Sequence, residues 1–293
     1  MTETNRFMEA EQYMESCLSL FLMNKTEQAL KVIEKAIECD PNFAEAYNKK
    51  GDCLLKLGRI EEALKCYLKS QELNPNIQNN YYDLGRTYLL LGDYTNSLAN
   101  FKKAYDMKPQ DDIHAFIGKI YFDQNMIDEA KQSFENLLIG NSSDPKDSIK
   151  NELKATNSNT MANYYYAQIL QRIGEDDEAK QYFNRIIEKY SRLVRSKPDL
   201  AEGYYYIGKC SYYIGDDEKA EENLKLAIKY DTDAISNHYS FDMFYSDAEA
   251  FAALAEIQAR RGKSSEAKEN ILKALALEPN NKKLQETKMK LGF

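Results

Sequence analysis

Residues Ala44–Pro75 read AEAYNKKGDCLLKLGRIEEALKCYLKSQELNP. Tyr47, Gly51, Leu54, Gly58, Ala63, Tyr67 and Pro75 fall at positions 4, 8, 11, 15, 20, 24 and 32 of a unit that starts at Ala44. The next unit repeats the layout 34 residues on, with Tyr81, Leu84, Gly85, Tyr88, Gly92, Phe101, Ala104 and Pro109. Pro41, Pro75 and Pro109 are each 34 residues apart, and each reads as the end of a helix, because proline cannot continue one. A unit this short can bury its apolar face only against a neighbour, so the period favours one elongated array over separate globular domains.

The layout resembles the tetratricopeptide repeat, a helix–turn–helix of 34 residues. The resemblance covers roughly residues 10–280 and implies an all-α fold, a right-handed α-α superhelix (a TPR solenoid) of about seven helix pairs with a C-terminal capping helix. Repeats are expected near 10–43, 44–77, 78–110, 111–143, 160–200, 201–232 and 248–281, with insertions at 144–159 and 233–247 and the capping helix over 282–293. A short helix is expected over Pro145–Ala155, where Asp144-Pro145 reads as an N-cap with proline at the first helical position. The fifth repeat closes seven residues late at Pro198, and RIIEKYSRLVRS contains no breaker. Seven residues are close to two helical turns, so the second helix lengthens without rotating its apolar face. The fourth repeat lacks glycine at position 15 of its turn, DQNMIDEA. In the fifth and sixth turns, GEDDEA and GDDEKA, acids open the second helix at the positive end of its dipole.

Composition narrows the function classes. The net charge of −8 and pI near 5.1 oppose non-specific binding to nucleic acid or anionic membranes, both of which need a basic footprint. The five cysteines (Cys17, Cys39, Cys53, Cys66, Cys210) form no CxxC and read as free thiols in a reducing compartment. The acidic N-terminus carries no apolar run, so no secretory signal is expected, and no stretch reaches the roughly 18 apolar residues of a membrane span. A cytoplasmic protein is the expectation. With two histidines far apart, no HExxH, no GxSxG and no phosphate-binding glycine loop, no enzyme activity, metal or cofactor is expected.

In the family it resembles, positions 2, 5, 9, 12 and 13 of the first helices line a concave face. Carried onto this chain, position 9 reads Leu18, Asp52, Arg86, Lys119, Gln168, Lys209 and Glu256, and position 5 reads Met14, Asn48, Tyr82, Ala115, Tyr164, Tyr205 and Ala252. The resemblance thus implies a groove built from Tyr82, Arg86, Lys119, Phe122, Tyr164, Arg172, Tyr205, Lys209 and Tyr212. Tyrosine offers contact area with few rotors to freeze, and Arg and Lys pair carboxylates. The other reading is a solvated face whose charges pair with neighbouring helices, for example with Asp83 or Asp112. The insertion offers Tyr239, Phe241, Phe244 and Tyr245 either as a partner-contacting hook or as residues tucked against the array.

The function implied is a non-enzymatic scaffold or adaptor holding a protein or peptide partner that carries acidic and apolar side chains, with neither nucleic acid nor membrane as partner. Alternatives are a co-chaperone or assembly factor gripping a C-terminus, and a self-assembling structural subunit. The chaperone clamp of such relatives needs Lys and Asn at positions 5 and 9 of one repeat, Asn at position 6 of the next, and Lys and Arg at positions 2 and 6 of the third. Here those positions hold Asn48, Asp52, Asp83, Asp112 and Phe116, which opposes the clamp.

Overall fold

The computed structural model describes residues 3–139, 157–231, 246–279 and 281–293, which form fifteen α-helices and no strand. In chain order these are α1 (Glu3–Leu22), α2 (Thr26–Cys39), α3 (Ala44–Lys56), α4 (Ile60–Leu73), α5 (Gln78–Leu90), α6 (Tyr94–Met107), α7 (Asp111–Asp123) and α8 (Ile127–Ile139). They continue with α9 (Asn157–Arg172), α10 (Asp176–Ser196), α11 (Ala201–Ile214), α12 (Asp217–Tyr230), α13 (Asp247–Arg260), α14 (Ser264–Leu277) and α15 (Lys282–Lys290). The helix expected over Pro145–Ala155 and the aromatic insertion residues Tyr239, Phe241, Phe244 and Tyr245 lie outside the described residues.

The helices fall into two compact units, Met1–Ser133 and Phe134–Phe293, with the boundary inside α8. Within the first unit α1 packs on α2, α3 on α4 and α5 on α6. Within the second, α9 packs on α10, α11 on α12 and α13 on α14. Within a pair, small residues on the first helix face large residues on the second. A Cβ added at Gly51 would sit 2.5 Å from the Tyr67 ring, so the two helices approach where only glycine fits. Gly208 stands in the same relation to Leu224.

The turn between first and second helix is built alike throughout. Arg59 N–H donates to Leu54 C=O at 2.9 Å, the six-residue closure of a Schellman motif, and the bonds Lys25 to Leu20, Asp93 to Tyr88, Met126 to Tyr121, Glu175 to Leu170, Asp216 to Ser211 and Lys263 to Gln258 repeat it. The residue before the donor must be left-handed. Glycine fills that place in most repeats, and Asn24 and Asn125, both at φ 60°, fill it in the first and fourth. The two near-identical acidic turns differ in detail. Asp216 accepts the Lys219 N–H at 3.2 Å as an N-cap, whereas Glu175 at the equivalent place makes no side-chain cap.

Helix α10 runs for 21 residues. Its added turns carry Tyr190, which stacks on Tyr206 with centroids 5.0 Å apart and donates to Glu202 at 2.9 Å. They also carry Val194, which fills the space above Gly203. The extension therefore fixes where α11 begins.

Candidate functional site

The nine groove candidates lie on the first helices of both units. In the first unit Tyr82 sits edge-on to Phe101 and Phe116, with centroids 5.8 and 6.1 Å away, and the Arg86 guanidinium lies 5.7 Å over its ring. Arg86 is wholly enclosed and Phe122 is buried. Lys119, with 17% of its side chain exposed, pairs with Asp123 one turn on at 2.5 Å. Tyr82 is half-buried.

Beside Arg86 lies a polar network that sequence reading did not assemble. Asn48 Nδ2 donates to Asp83 Oδ2 at 2.9 Å and to Asn80 Oδ1 at 3.0 Å. The Tyr67 hydroxyl donates to Asp52 Oδ1 at 2.9 Å, and Lys49 Nζ pairs with Asp52 Oδ2 at 2.7 Å. Asn48, Asp52, Asn80 and Asp83 are all buried. Burial, with the Asp52 carboxylate nearby, pushes the Asp83 carboxyl up to about 7. Asn48 at position 5 and Asp83 at position 6 thus join first helix to first helix, while Asp52 at position 9 is held by Tyr67 of its own repeat's second helix. The periodicity that predicts a shared face does not say whether the next helix covers it.

In the second unit the expected exposure is again corrected for several residues. Tyr164, Tyr205 and Lys209 are buried, Tyr212 is half-buried, and Arg172 is exposed. Tyr164 is edge-on to Tyr206 at 5.7 Å and to Tyr213 at 5.9 Å, while Tyr213 stacks on Phe183 at 5.2 Å. The tyrosines therefore interlock between repeats. The acids of α13 take up the polar ends of this column. Tyr205 Oη donates to Glu249 at 2.9 Å, Lys209 Nζ lies 3.4 Å from the same carboxylate, and the Tyr212 hydroxyl bonds to Glu256. The Arg260 guanidinium lies 5.0 Å over the Tyr212 ring and its fork reaches Asp217 at 2.5 Å. These contacts give the first-helix face a fixed side-chain arrangement with tyrosine and arginine at its surface.

All five thiols are free, and Cys17, Cys53 and Cys210 are buried. Among the described residues no group of three His, Cys, Asp or Glu side chains converges as a metal site would, and no helix is long and apolar enough to cross a membrane.

Family models described as tetratricopeptide repeats match residues 42–110, 161–192, 112–138 and 248–281. No curated protein sequence matches the chain. Among solved structures, a tetratricopeptide repeat protein from Parabacteroides merdae superimposes with a TM-score of 0.62 at 14% identity, covering 98% of this chain and 100% of that one. A thermophilic TPR protein from Thermus thermophilus gives 0.52 at 21% identity over 73% of this chain and 98% of its own. The APC/C hetero-tetramer Cut9–Hcn1 gives 0.59 at 14% identity, covering 94% of this chain and 48% of the chain matched. Likeness at these identities is likeness of fold.

Proposed function

The chain belongs to the tetratricopeptide-repeat family, and from that premise we propose that it is a non-enzymatic protein–protein interaction scaffold, holding a partner segment with acidic and apolar side chains along the face of its first helices. The repeat fold itself favours an interaction role, because a stack of helix pairs presents extended faces for a partner. The observation that carries the finer reading is the division of labour among the nine candidates. Tyr82, Lys119, Arg172 and Tyr212 keep surface, while Arg86, Phe122, Tyr164, Tyr205 and Lys209 are buried, and fixed neighbours hold the surface side chains in place before a partner arrives: Arg86 against Tyr82, Asp123 against Lys119, Glu256 and Arg260 against Tyr212. Such preorganisation lowers the ordering cost of binding. The free thiols suit the reducing cytoplasm proposed as its location.

The test captures partners from lysate of the source cells with the wild-type chain and with a variant carrying Tyr82→Ala, Lys119→Glu, Arg172→Glu and Tyr212→Ala. Circular dichroism verifies that both are helical. Buried Arg86 and Lys209 are left intact, since reversing an enclosed charge would unfold the chain rather than probe its face. A partner held by the wild type and lost by the variant supports the reading. A partner held equally by both removes this face as the recognition surface.

A further inference from the structure

Two faces of the chain combine exposed apolar side chains with opposite charge. On α1, Met8, Glu11, Glu15, Leu18 and Leu22 are exposed, and their spacing of three and four residues places them in one stripe, turned from buried Ala10 and Cys17. Leu22 is 87% exposed, far beyond what a leucine on a paired helix needs. Helix α1 carries four glutamates and one arginine, a net charge of −3.

The second face is a cleft between α14 and α15. Leu275, Pro279, Met289 and Phe293 supply its apolar walls, with Gln285 and Lys288 at the rim. Met289 is 69% exposed. Helix α15 carries four lysines and one glutamate, a net charge of +3. It stands where the capping helix is expected. It buries Leu284 into the core of α13 and α14, yet leaves an apolar notch beside that contact.

We infer that the α1 stripe of one copy docks on the α14–α15 face of a second copy, joining chains head to tail. Charge selects this pairing. Two α1 stripes brought together would oppose glutamate to glutamate, and two α15 helices would oppose lysine to lysine, so a symmetric contact through either face is repelled. The unlike pair is attracted, and it brings leucine and methionine to an apolar cleft. A heterologous contact of this kind leaves one face of each type unused in a dimer, so further copies can add.

Sedimentation velocity across a concentration series tests the inference. The wild type is expected to show a weight-average mass that rises above 33.9 kDa with concentration and falls back as salt screens the charges. Two surface variants follow, neutral so that the altered positions have no charge to pair: Glu11→Gln, Glu15→Gln, Leu22→Gln on α1, and Lys288→Gln, Met289→Gln, Lys290→Gln on α15. Each alone should remain a monomer. Their equimolar mixture retains one good face of each type and should form a species of twice the monomer mass and nothing larger. A wild-type chain that stays monomeric at low salt up to about 0.5 mM, a single variant that associates like the wild type, or a mixture that forms no dimer while the wild type associates, each overturns the proposal. These variants leave Tyr82, Lys119, Arg172 and Tyr212 untouched, so this result and the partner-capture result are independent.

Discussion

Asp83 is a buried carboxyl group that accepts from Asn48 of the preceding repeat, with Asp52 and Arg86 close by. Its ordinary value near 3.8 rises to about 7, so between those limits the folded chain holds a proton that the unfolded chain has already released. Stability from this group is full below about pH 4 and declines as pH climbs toward 7. Asp247, raised to about 7 by burial and then by Asp231, acts in the same direction. The variant Asp83→Asn should therefore flatten the loss of stability between pH 4 and 7 in urea titrations, by up to about 1.4 kcal/mol per pH unit over that window. An unchanged slope would show that Asp83 titrates normally. Gly51→Ala is a steric counterpart. The methyl would meet Tyr67, whose hydroxyl also holds Asp52, and a loss of about 2 kcal/mol is expected from the denaturation midpoint. Asn125→Gly removes a side chain from a left-handed turn instead, and should be neutral or stabilising by a few tenths of a kcal/mol in the same assay.

At the level of elements, the helices were legible because their punctuation is local. Gly58 and Gly92 end first helices at positive φ, and Pro75 and Pro109 follow the ends of second helices. The length of α10 could be read from the absence of any breaker before Pro198. The left-handed asparagines were the missed substitute for glycine, although Asn is the residue type that best tolerates that conformation. The site was less legible. A helical register places Tyr164 and Tyr205 at matching positions, but whether they meet water depends on other elements: Tyr206 and Tyr213 of α11 for Tyr164, and Glu249 of α13 for Tyr205. Tyr190→Phe tests one such link. It keeps the ring stack on Tyr206 and deletes the bond to Glu202, and should cost about 1 kcal/mol by chemical denaturation. Tyr190→Ala, which also removes the ring, should cost about 3 kcal/mol or more.

For the molecule as a whole, stacking between nearest neighbours makes stability a sum of local terms, so the two units need not open together. Gly85→Val would press on Phe101 and should reduce hydrogen-exchange protection in α5 and α6 first, with α11 and α12 protected longer. Equal and simultaneous loss in both units would show one cooperative transition instead. The distribution of tyrosine adds a means of watching this. The chain has 22 tyrosines and no tryptophan, and among the described residues Tyr67 is the buried one in the first unit against six in the second. Rings held rigidly edge to face in an asymmetric interior give near-ultraviolet circular dichroism, whereas mobile exposed rings give little. The aromatic dichroic band is thus weighted toward the second unit, while the far-ultraviolet helix signal reads both evenly, and a melt followed at the two wavelengths shows without a label whether the units open together.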